Sequence, residues 1–402
     1  MTHRPTSALL VSLTLALFVS LALAAGAGAA AAASDTNTGT ATVENGSAEG
    51  YNVTVAALNS SNQPVVEPTE TTVENGTFSY ETFDNATAYF IRLETETGAH
   101  YEFVDPGEQP TFTLNRTVSG RLVDEAGDPV SNATVNVISE YGPQVTQVAV
   151  ADDGSFSIDP LQPNRTYSLR IEADGAVYRE VVSTDTENTD LEIELAAPTD
   201  DPRALELGGG QPVNHFMRVG PTDDGEGLFA IEILSIRNTA ERPFVGPVAF
   251  ETPPDAEVVA GSVQNERVDI THDNGTATVE ASIEAGETVE VAAFYRVDGR
   301  TLEKPVGYDV ESFALLLEGY DLTQAEFSSN LVEADMNQPM VTNTEPLDAN
   351  EQISVRITNT TSDSDTDANS TTSEDSNELP IVPLGLAFVG TIVGGLFVYR
   401  RF

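Results

Sequence analysis

The sequence predicts an all-β protein with two small β-sandwiches and a larger third one, between a signal peptide and one C-terminal transmembrane helix. Three observations carry this prediction. Apolar and polar residues alternate through most of the chain, as in strands with one buried face. Asn-Gly and Asp-Gly pairs separate these stretches and are typical of hairpin turns. Two segments repeat with a period of about 78 residues, and no stretch within these repeats has a helical period.

Residues 1–33 have the layout of a secretory signal peptide. A positive start at Arg4 precedes an apolar run from Ala8 to Ala24, and small residues continue to Ala33. We therefore predict export and cleavage near Ala33. An uncleaved signal anchor is the alternative.

Residues 34–115 and 116–197 are the two predicted repeats. The matching pairs are Glu74–Tyr80 with Asp152–Ile158, Asn85–Thr87 with Asn164–Thr166, Tyr89–Glu94 with Tyr167–Glu172, and Tyr101 with Tyr178. Alternating apolar residues flank the turns in both copies, so each copy is predicted to be a small β-sandwich.

The second repeat carries the motifs of a known family. These motifs are Gly120 to Asp124, Gly127 to Val130, Ala133 to Val135, Asp153 to Phe156 and Leu161 to Tyr167. Their order resembles that of carboxypeptidase regulatory-like domains, with Asn164 where glycine is usual. The resemblance covers Thr117 to Leu195, and more loosely Thr40 to Leu114. It implies a transthyretin-like (prealbumin-like) seven-stranded sandwich used for stability, spacing or binding.

The same fold occurs in some starch-binding domains, so the resemblance also suggests a carbohydrate-binding-like fold. Sugar sites usually need exposed aromatic platforms. The candidate residues are Tyr80, Tyr89, Tyr101, Tyr141, Tyr167 and Tyr178. Core packing is the alternative for tyrosines at strand spacing, and the chain has no tryptophan.

Residues 203–357 are predicted to form a larger, membrane-proximal β-sandwich. Long apolar strands such as Leu228 to Ile236 recur through it, separated by Pro-Pro, Asn-Gly and Asp-Gly turns. His215 with Asp223 and Asp224 is a possible metal-binding group. A loop histidine beside solvated acids is the favoured interpretation.

The C-terminal segment is predicted to anchor the chain in a membrane. Residues 358–378 are rich in Ser, Thr, Asn and acids, which favours a disordered stalk. Residues 379–399 are uncharged and long enough to span a bilayer, and residues 400–402 form a basic cytoplasmic tail. Within the stalk, acids at Asp363, Asp365, Asp367 and Glu374 have the spacing of an EF-hand, but Ala368 replaces the required glycine.

The charge balance restricts the partners. Asp and Glu number 64 against 18 Lys and Arg, which gives a net charge of -46. This excess excludes nucleic-acid binding, which needs a basic face, and it favours an extreme halophile, where salt screens the repulsion. The absence of cysteine excludes disulfide and thiolate sites. The whole layout resembles haloarchaeal-type cell-surface membrane proteins.

Eleven Asn-x-Ser/Thr sequons make glycosylation of the exported chain an expectation. The candidate residues are Asn45, Asn52, Asn59, Asn75, Asn85, Asn115, Asn132, Asn164, Asn274, Asn359 and Asn369.

No hydrolase, zinc-peptidase or nucleotide-binding motif is present in the sequence, so we expect no enzymatic activity, cofactor, catalytic residue or metal site. The expected function is that of a cell-membrane glycoprotein with an extracellular ectodomain for envelope structure, adhesion or protein binding. The alternatives are a carbohydrate-binding ectodomain and an accessory subunit of a transport or secretion complex. The partner is therefore a surface protein or a polysaccharide, in addition to the membrane.

Overall fold

A computed structural model describes residues 35–44, 46–186, 188–208, 212–336 and 338–358, and this part of the chain is all-β. The chain divides after Ala197 into two compact units. The first unit holds both repeats, and the second holds the larger domain. The predicted signal peptide, transmembrane segment, cytoplasmic tail and all but the first residue of the stalk lie outside the described residues.

Repeat 1 is a sandwich of two sheets whose strands pair mostly antiparallel. Its strands are β1 (Asp35–Val43), β2 (Asn52–Leu58), β3 (Thr69–Thr72), β4 (Thr77–Thr82), β5 (Ala88–Glu94), β6 (Ala99–Val104) and β7 (Thr111–Leu114). One sheet has the order β4-β1-β7, and the other has the order β3-β2-β5-β6. The core between them contains the inward residues of both sheets, including Val53, Tyr89 and Phe112.

Repeat 2 has the same seven strands and the same connections. They are β8 (Arg116–Asp124), β9 (Ala133–Ser139), β10 (Gln144–Ala149), β11 (Ser155–Leu161), β12 (Thr166–Ala173), β13 (Ala176–Ser183) and β14 (Asn188–Leu195). Its sheets have the orders β11-β8-β14 and β10-β9-β12-β13. In both repeats the first strand pairs antiparallel with the fourth and parallel with the seventh. The predicted pair of seven-stranded sandwiches is therefore confirmed as a fold.

A glycine packed under a phenylalanine marks both copies. Gly39 pairs across the sheet with Phe78, and Gly120 pairs with Phe156. A Cβ atom at Gly39 would lie 2.2 Å from Cζ of Phe78, and one at Gly120 would lie 2.5 Å from Cζ of Phe156. Any side chain would displace the ring, so the glycine of the family's opening motif also has a counterpart in repeat 1.

The strand register corrects one match between the repeats. Leu93 pairs with His100 in repeat 1, whereas Ile171 pairs with Tyr178 in repeat 2. The residue equivalent to Tyr178 is therefore His100 and not Tyr101. The match by sequence was wrong by one position because it aligned the two tyrosines, whereas the hairpin has the same length in both repeats.

The larger domain contains fifteen strands. They are β15 (Leu205–Leu207), β16 (His215–Pro221), β17 (Gly227–Asn238), β18 (Phe244–Glu251), β19 (Glu257–Val263), β20 (Glu266–Val268), β21 (Ile270–Asp273), β22 (Thr276–Ile283), β23 (Thr288–Asp298), β24 (Thr301–Pro305), β25 (Phe313–Leu317), β26 (Ala325–Phe327), β27 (Leu331–Glu333), β28 (Met340–Asn343) and β29 (Gln352–Ile357). Short 3₁₀ turns at Pro202–Ala204 and Leu322–Gln324 precede β15 and β26.

Three sheets share one core in this domain. A nine-stranded sheet has the order β20-β19-β23-β17-β16-β25-β28-β27, with β15 also paired to β17. Two three-stranded sheets, β18-β22-β21 and β24-β29-β26, contribute side chains to the same core. Along β17 the even-numbered residues Leu228, Ala230 and Leu234 enter this core, so the odd-numbered residues between them lie on the opposite face of the sheet.

Within the described residues, no helix combines the length and apolar character that a membrane span requires.

Candidate functional site

The first candidate site is the contact between the two repeats. The outer face of the β2-β5-β6 sheet is apolar, and its residues Leu58, Phe90 and Tyr101 share a core cluster with repeat 2. Phe90 stacks on Tyr101 with ring centroids 5.6 Å apart, and it meets the edge of Tyr141 at 6.4 Å. The Tyr101 hydroxyl donates to the backbone oxygen of Gln144 at 3.2 Å. The contact therefore buries apolar surface and has a defined geometry.

An ionic group, the inter-repeat joint, lies beside this contact and comprises Glu102, Glu140, Tyr141, Gln162 and Arg165. Both terminal nitrogens of Arg165 are used: Nη2 donates to the two oxygens of Glu102 at 2.5 Å, and Nη1 donates to Glu140 at 2.8 Å. Nη1 also donates to the Tyr141 hydroxyl at 3.0 Å. Gln162 Nε2 adds a 2.7 Å hydrogen bond to Glu102. Repeat 1 thus supplies one carboxylate to a cation held by repeat 2.

The motif Leu161 to Tyr167 places Arg165 at the joint. The Tyr167 hydroxyl accepts from the backbone N–H of Gln162 at 3.2 Å, and Thr184 Oγ1 accepts from the N–H of Arg165 at 3.0 Å. Asn164 has a φ of 56°, in the left-handed region that asparagine tolerates. The turn is therefore fixed on both sides of the arginine.

Burial and ion pairing oppose each other at the joint. Burial raises the pKa of the Glu102 carboxyl, and Arg165 and Gln162 offset only part of this rise. For Arg165, burial by itself lowers the pKa, but the contact with Glu102 outweighs it and the pKa is raised. Burial also raises the pKa of Tyr141. The Glu102 carboxylate of repeat 1 is stabilised in its charged form by Arg165 of repeat 2. The joint is therefore suited to holding the two repeats together.

The second candidate site, the buried ionic cluster, lies in the core of the larger domain and comprises His215, Glu232, Tyr295 and Lys304. Lys304 Nζ lies 2.5 Å from both oxygens of Glu232, and the Tyr295 hydroxyl donates to Glu232 Oε2 at 3.0 Å. His215 Nε2 lies 2.9 Å from Glu232 Oε1, but its ring is not oriented for a hydrogen bond. None of the four residues is more than about 1% exposed.

Strand alternation brings these four groups together. His215, Glu232 and Tyr295 occupy inward positions of β16, β17 and β23 in the nine-stranded sheet. Lys304 comes from β24 in the opposing sheet, where its neighbour Glu303 is exposed. The ion pair therefore crosses the core and connects two sheets.

The ionisation of the cluster follows from its enclosure. Burial by itself raises the pKa of Glu232, but the Lys304 ammonium and His215 lower it, and the net pKa is about 2. Burial lowers the pKa of His215, and burial together with the Glu232 carboxylate raises the pKa of Tyr295. A carboxylate of such low basicity, enclosed away from solvent, is poorly suited to proton transfer. The cluster is suited to fixing the alignment of the two sheets, since removal of one partner leaves a buried charge.

The tyrosines suggested as a sugar platform are mostly internal. Tyr80, Tyr89, Tyr101 and Tyr167 are buried, and Tyr141 and Tyr178 are half-buried. Tyr89 repeats the role of Tyr167, since its hydroxyl accepts from the N–H of Phe83 at 2.9 Å. The largest aromatic exposure in the described chain belongs to Phe103, at 39%. The structure therefore assembles no platform from the six predicted residues.

The residues suggested for metal binding are not brought together. His215 is enclosed in the core, whereas Asp223 and Asp224 are exposed in the turn after β16. Within the described ranges, no group of His, Asp and Glu has the arrangement of a metal site. The EF-hand-like acids of the stalk lie outside the described residues.

The sequons occupy two kinds of environment. Six of their asparagines are exposed: Asn52, Asn75, Asn85, Asn132, Asn164 and Asn274. Asn59 and Asn115 are half-buried. Asn45, Asn359 and Asn369 lie outside the described residues.

Sequence reasoning missed both ionic sites. Lys304 is the only lysine in the chain, and Glu232 is the only charge in the apolar run from Leu228 to Ile236. These two exceptions were the available signal for the buried ionic cluster. The joint has no such signal, because Glu102 is 63 residues from Arg165 and resembles the many surface acids.

The comparisons with known proteins concern repeat 2 and the fold. Residues 117–196 match the family model of the carboxypeptidase regulatory-like domain. Repeat 2 is therefore a domain of this family, as its motifs indicated. No curated protein matches the chain at a significant level.

Solved structures show only distant likeness. An M1 zinc metallopeptidase from Deinococcus radiodurans is 11% identical with a TM-score of 0.24, over 38% of this chain and 42% of that one. Leukotriene A4 hydrolase from Saccharomyces cerevisiae is 7% identical with a TM-score of 0.28, over 39% and 29% of the two chains. A putative nutrient binding protein from Legionella pneumophila is 9% identical with a TM-score of 0.27, over 38% and 67%. The match spans less than half the length of the first two of these proteins, and these values carry no argument about activity.

Proposed function

We propose that this protein is a non-enzymatic, membrane-anchored surface glycoprotein of an extreme halophile, whose β-sandwich modules serve envelope structure, adhesion or protein binding. The observation that carries the proposal is the way repeat 1 and repeat 2 are joined. Their contact uses apolar and aromatic side chains that a ligand-binding module would present to solvent. A tandem joined in this way is suited to act as a rigid spacer.

The distribution of acids supports the halophile part of the proposal. Glu102, Glu232 and Glu284 are the only buried acidic residues in the described part of the chain. The other described acids therefore lie at least partly in solvent, where molar salt screens their mutual repulsion. We expect the unfolding temperature of residues 34–377 to rise as KCl increases from dilute to molar concentration. An unfolding temperature that is insensitive to salt would remove this part of the proposal.

The anchor is tested on intact cells of a halophilic host. Protease added outside should digest the full-length chain, and deletion of residues 379–402 should release the ectodomain into the medium. Deletion of residues 358–378 is the matched control, because it shortens the chain by a similar length and keeps the anchor. A full-length chain that resists protease until the cells are lysed contradicts the proposed topology.

Carbohydrate binding is the competing outcome. A glycan array probed with residues 34–377 at molar salt distinguishes the two. Specific binding that is lost in a Phe103→Ala variant would contradict the proposed structural role and support sugar recognition.

A second candidate function, binding of a protein partner as an accessory subunit, is favoured by one surface. On the outer face of the nine-stranded sheet, Phe229, Ile231, Ile233 and Phe294 are half-buried and belong to no core cluster. Apolar side chains grouped on a sheet face are typical of protein contacts. An Ile231→Glu variant should then lose a membrane protein that co-purifies with the wild type, while a Thr239→Glu variant should retain it. Equal recovery by both variants contradicts this candidate.

A further inference from the structure

Two pairs of sequons lie near the ends of equivalent strands in the two repeats. Asn85 and Asn164 each follow, by two residues, the residue whose N–H donates to the buried tyrosine hydroxyl, namely Phe83 and Gln162. Asn52 is the first residue of β2, and Asn132 directly precedes β9, the equivalent strand, two register positions before the counterpart of Asn52. Both copies therefore keep an Asn-x-Thr triplet before strand five and another at the start of strand two.

Backbone geometry does not explain these pairs. Asn132 and Asn164 both have a φ of 56°, where asparagine is favoured. Their counterparts Asn52 and Asn85 are not among the residues with positive φ. The feature common to each pair is therefore the complete triplet, and not a conformation that demands asparagine. By contrast, Asn75 and Asn274 precede glycine in hairpin turns at φ of 53° and 50°, so the turn accounts for them.

Accessibility separates the sequons further. The four paired asparagines are exposed, and none of their side-chain amides is hydrogen-bonded within the described chain. Asn59 is half-buried, and its Oδ1 accepts from the backbone N–H groups of Ser61 at 2.9 Å and Gln63 at 3.1 Å.

Asn115 is restrained in a different way. It lies between β7 and β8, where the two repeats meet, and it is half-buried. Its N–H donates to the oxygen of Leu161 at 3.1 Å, and its Oδ1 accepts from Arg116 at 3.0 Å. An oligosaccharide on this residue would have to fit at the junction of the repeats.

We infer that N-linked glycans are attached at Asn52, Asn85, Asn132 and Asn164 and are not attached at Asn59 or Asn115; the inference rests on the proposed surface location. The donor class is an oligosaccharide linked to a lipid phosphate. The Asn Nδ2 atom forms a bond to the anomeric carbon, the bond from that carbon to the phosphate oxygen breaks, and the lipid phosphate leaves. One amide proton is lost to a base of the transferring enzyme.

The test measures occupancy on the full-length chain purified from membranes of a halophilic host. Digestion at acidic residues suits a chain with one lysine, and mass spectrometry then gives the glycosylated fraction at each sequon. We expect glycopeptides at the four paired sites and unmodified peptides at Asn59 and Asn115. Modification of Asn59 or Asn115 to the extent of the paired sites overturns the inference but leaves a surface glycoprotein. Absence of glycan from every sequon overturns the inference and the glycoprotein part of the proposed function together.

Variants provide a second measurement. Asn85→Gln and Asn164→Gln should each remove one glycan and increase electrophoretic mobility by the same step. Because substitution at the left-handed Asn164 can affect folding, Thr166→Val and Thr87→Val remove the sequons and keep the asparagines. Asn59→Gln and Asn115→Gln are the matched controls and should leave mobility unchanged. A mobility step in either control, or none in the four variants at Asn85 and Asn164, contradicts the inference.

Discussion

Repeats 1 and 2 have the same seven-stranded fold, but they differ on the outer face of one sheet. By strand register, Phe90, Tyr101 and Leu58 of repeat 1 correspond to Ser168, Arg179 and Glu140 of repeat 2. The apolar set is covered by the neighbouring repeat, whereas Arg179 and Glu140 are exposed. The interior features, a glycine under a phenylalanine and a tyrosine bonded to a turn, are kept in both copies. The two copies therefore differ in sequence on the sheet face with which repeat 1 packs against repeat 2.

The largest expected effect comes from removing the aromatic centre of the contact. Phe90→Ala deletes a ring that is stacked on Tyr101, and we expect a loss of about 3–5 kcal/mol in unfolding free energy. The equivalent change in repeat 2, Ser168→Ala, should alter stability by less than about 0.5 kcal/mol. Hydrogen exchange of the ectodomain at molar salt, read separately for peptides of each repeat, checks both values. Similar losses for the two variants would show that the contact face is not what distinguishes the repeats.

Of the two repeats, repeat 1 should be the one that acid destabilises more. His100 is buried without a partner for either ring nitrogen, and burial lowers its pKa from 6.5 to about 4. The folded state therefore binds fewer protons than the unfolded state between these values. The contribution of neutral His100 to the free energy of unfolding is fully present above pH 6.5. It should fall by about 3 kcal/mol as the pH decreases from 6.5 to 4.

The control for this acid effect is the residue itself. His100→Leu should abolish the part of the acid loss that is specific to repeat 1, while Tyr178→Phe, at the equivalent position of repeat 2, should not change it. Stability curves from pH 7 to pH 4 for the three proteins make the comparison. An unchanged slope in His100→Leu would contradict the assignment.

Breaking the inter-repeat joint should have an intermediate effect. Arg165→Met leaves the buried Glu102 carboxylate without its cation, and we expect a loss of about 2 kcal/mol, less than for a fully buried pair because Arg165 is partly exposed. Adding Glu102→Gln to this variant should restore more than half of the loss, since no charge is then left unpaired. Glu140→Gln should cost at most about 1 kcal/mol because Glu140 is exposed. Denaturant midpoints of these three variants and of Glu102→Gln alone measure these differences, and additive losses in the double variant would exclude coupling.

The smallest effect tests what the repeats share. Tyr89→Phe and Tyr167→Phe each remove one hydroxyl that accepts a backbone N–H, so each should cost about 1 kcal/mol. The two losses should be equal within error, in contrast to the unequal pair Phe90→Ala and Ser168→Ala. A large difference between the tyrosine variants would mean that the bond from the backbone N–H to the tyrosine hydroxyl stabilises one repeat more than the other.

The sequence predicted those parts of the fold that depend on local pattern. Strand alternation, Asn-Gly turns and the motif from Leu161 to Tyr167 identified both sandwiches, because side chains on a strand alternate between core and solvent. The pattern did not identify which outer face is covered, since Phe90 follows the core residue Tyr89 and simply reads as a more apolar strand. It also did not predict the partner of Arg165. Such pairings depend on how two folded sandwiches pack against each other, and a local sequence pattern carries no information about this packing.

The candidate sites were predicted less well for the same reason. The six tyrosines proposed as a platform were identified by residue type, but type alone does not tell which side of the sheet a tyrosine occupies. Glu232 and Lys304 are separated by 72 residues and meet only because two sheets close over one core. The sequons could be identified directly from the sequence, but the exposure of each asparagine could be determined only from the structure.

The enclosure of the chain's only lysine has a practical consequence. Apart from the amino terminus, Lys304 is the sole primary amine, and it is about 1% exposed and paired with Glu232. Amine-directed reagents, aldehyde cross-linkers and lysine-specific proteases therefore have no side-chain target on the folded protein. Reaction at Lys304 requires the larger domain to open, so a single mass-tagged amine reports its unfolding without an engineered probe. The folded chain thereby combines a net charge of -46 with near-complete resistance of its side chains to lysine chemistry.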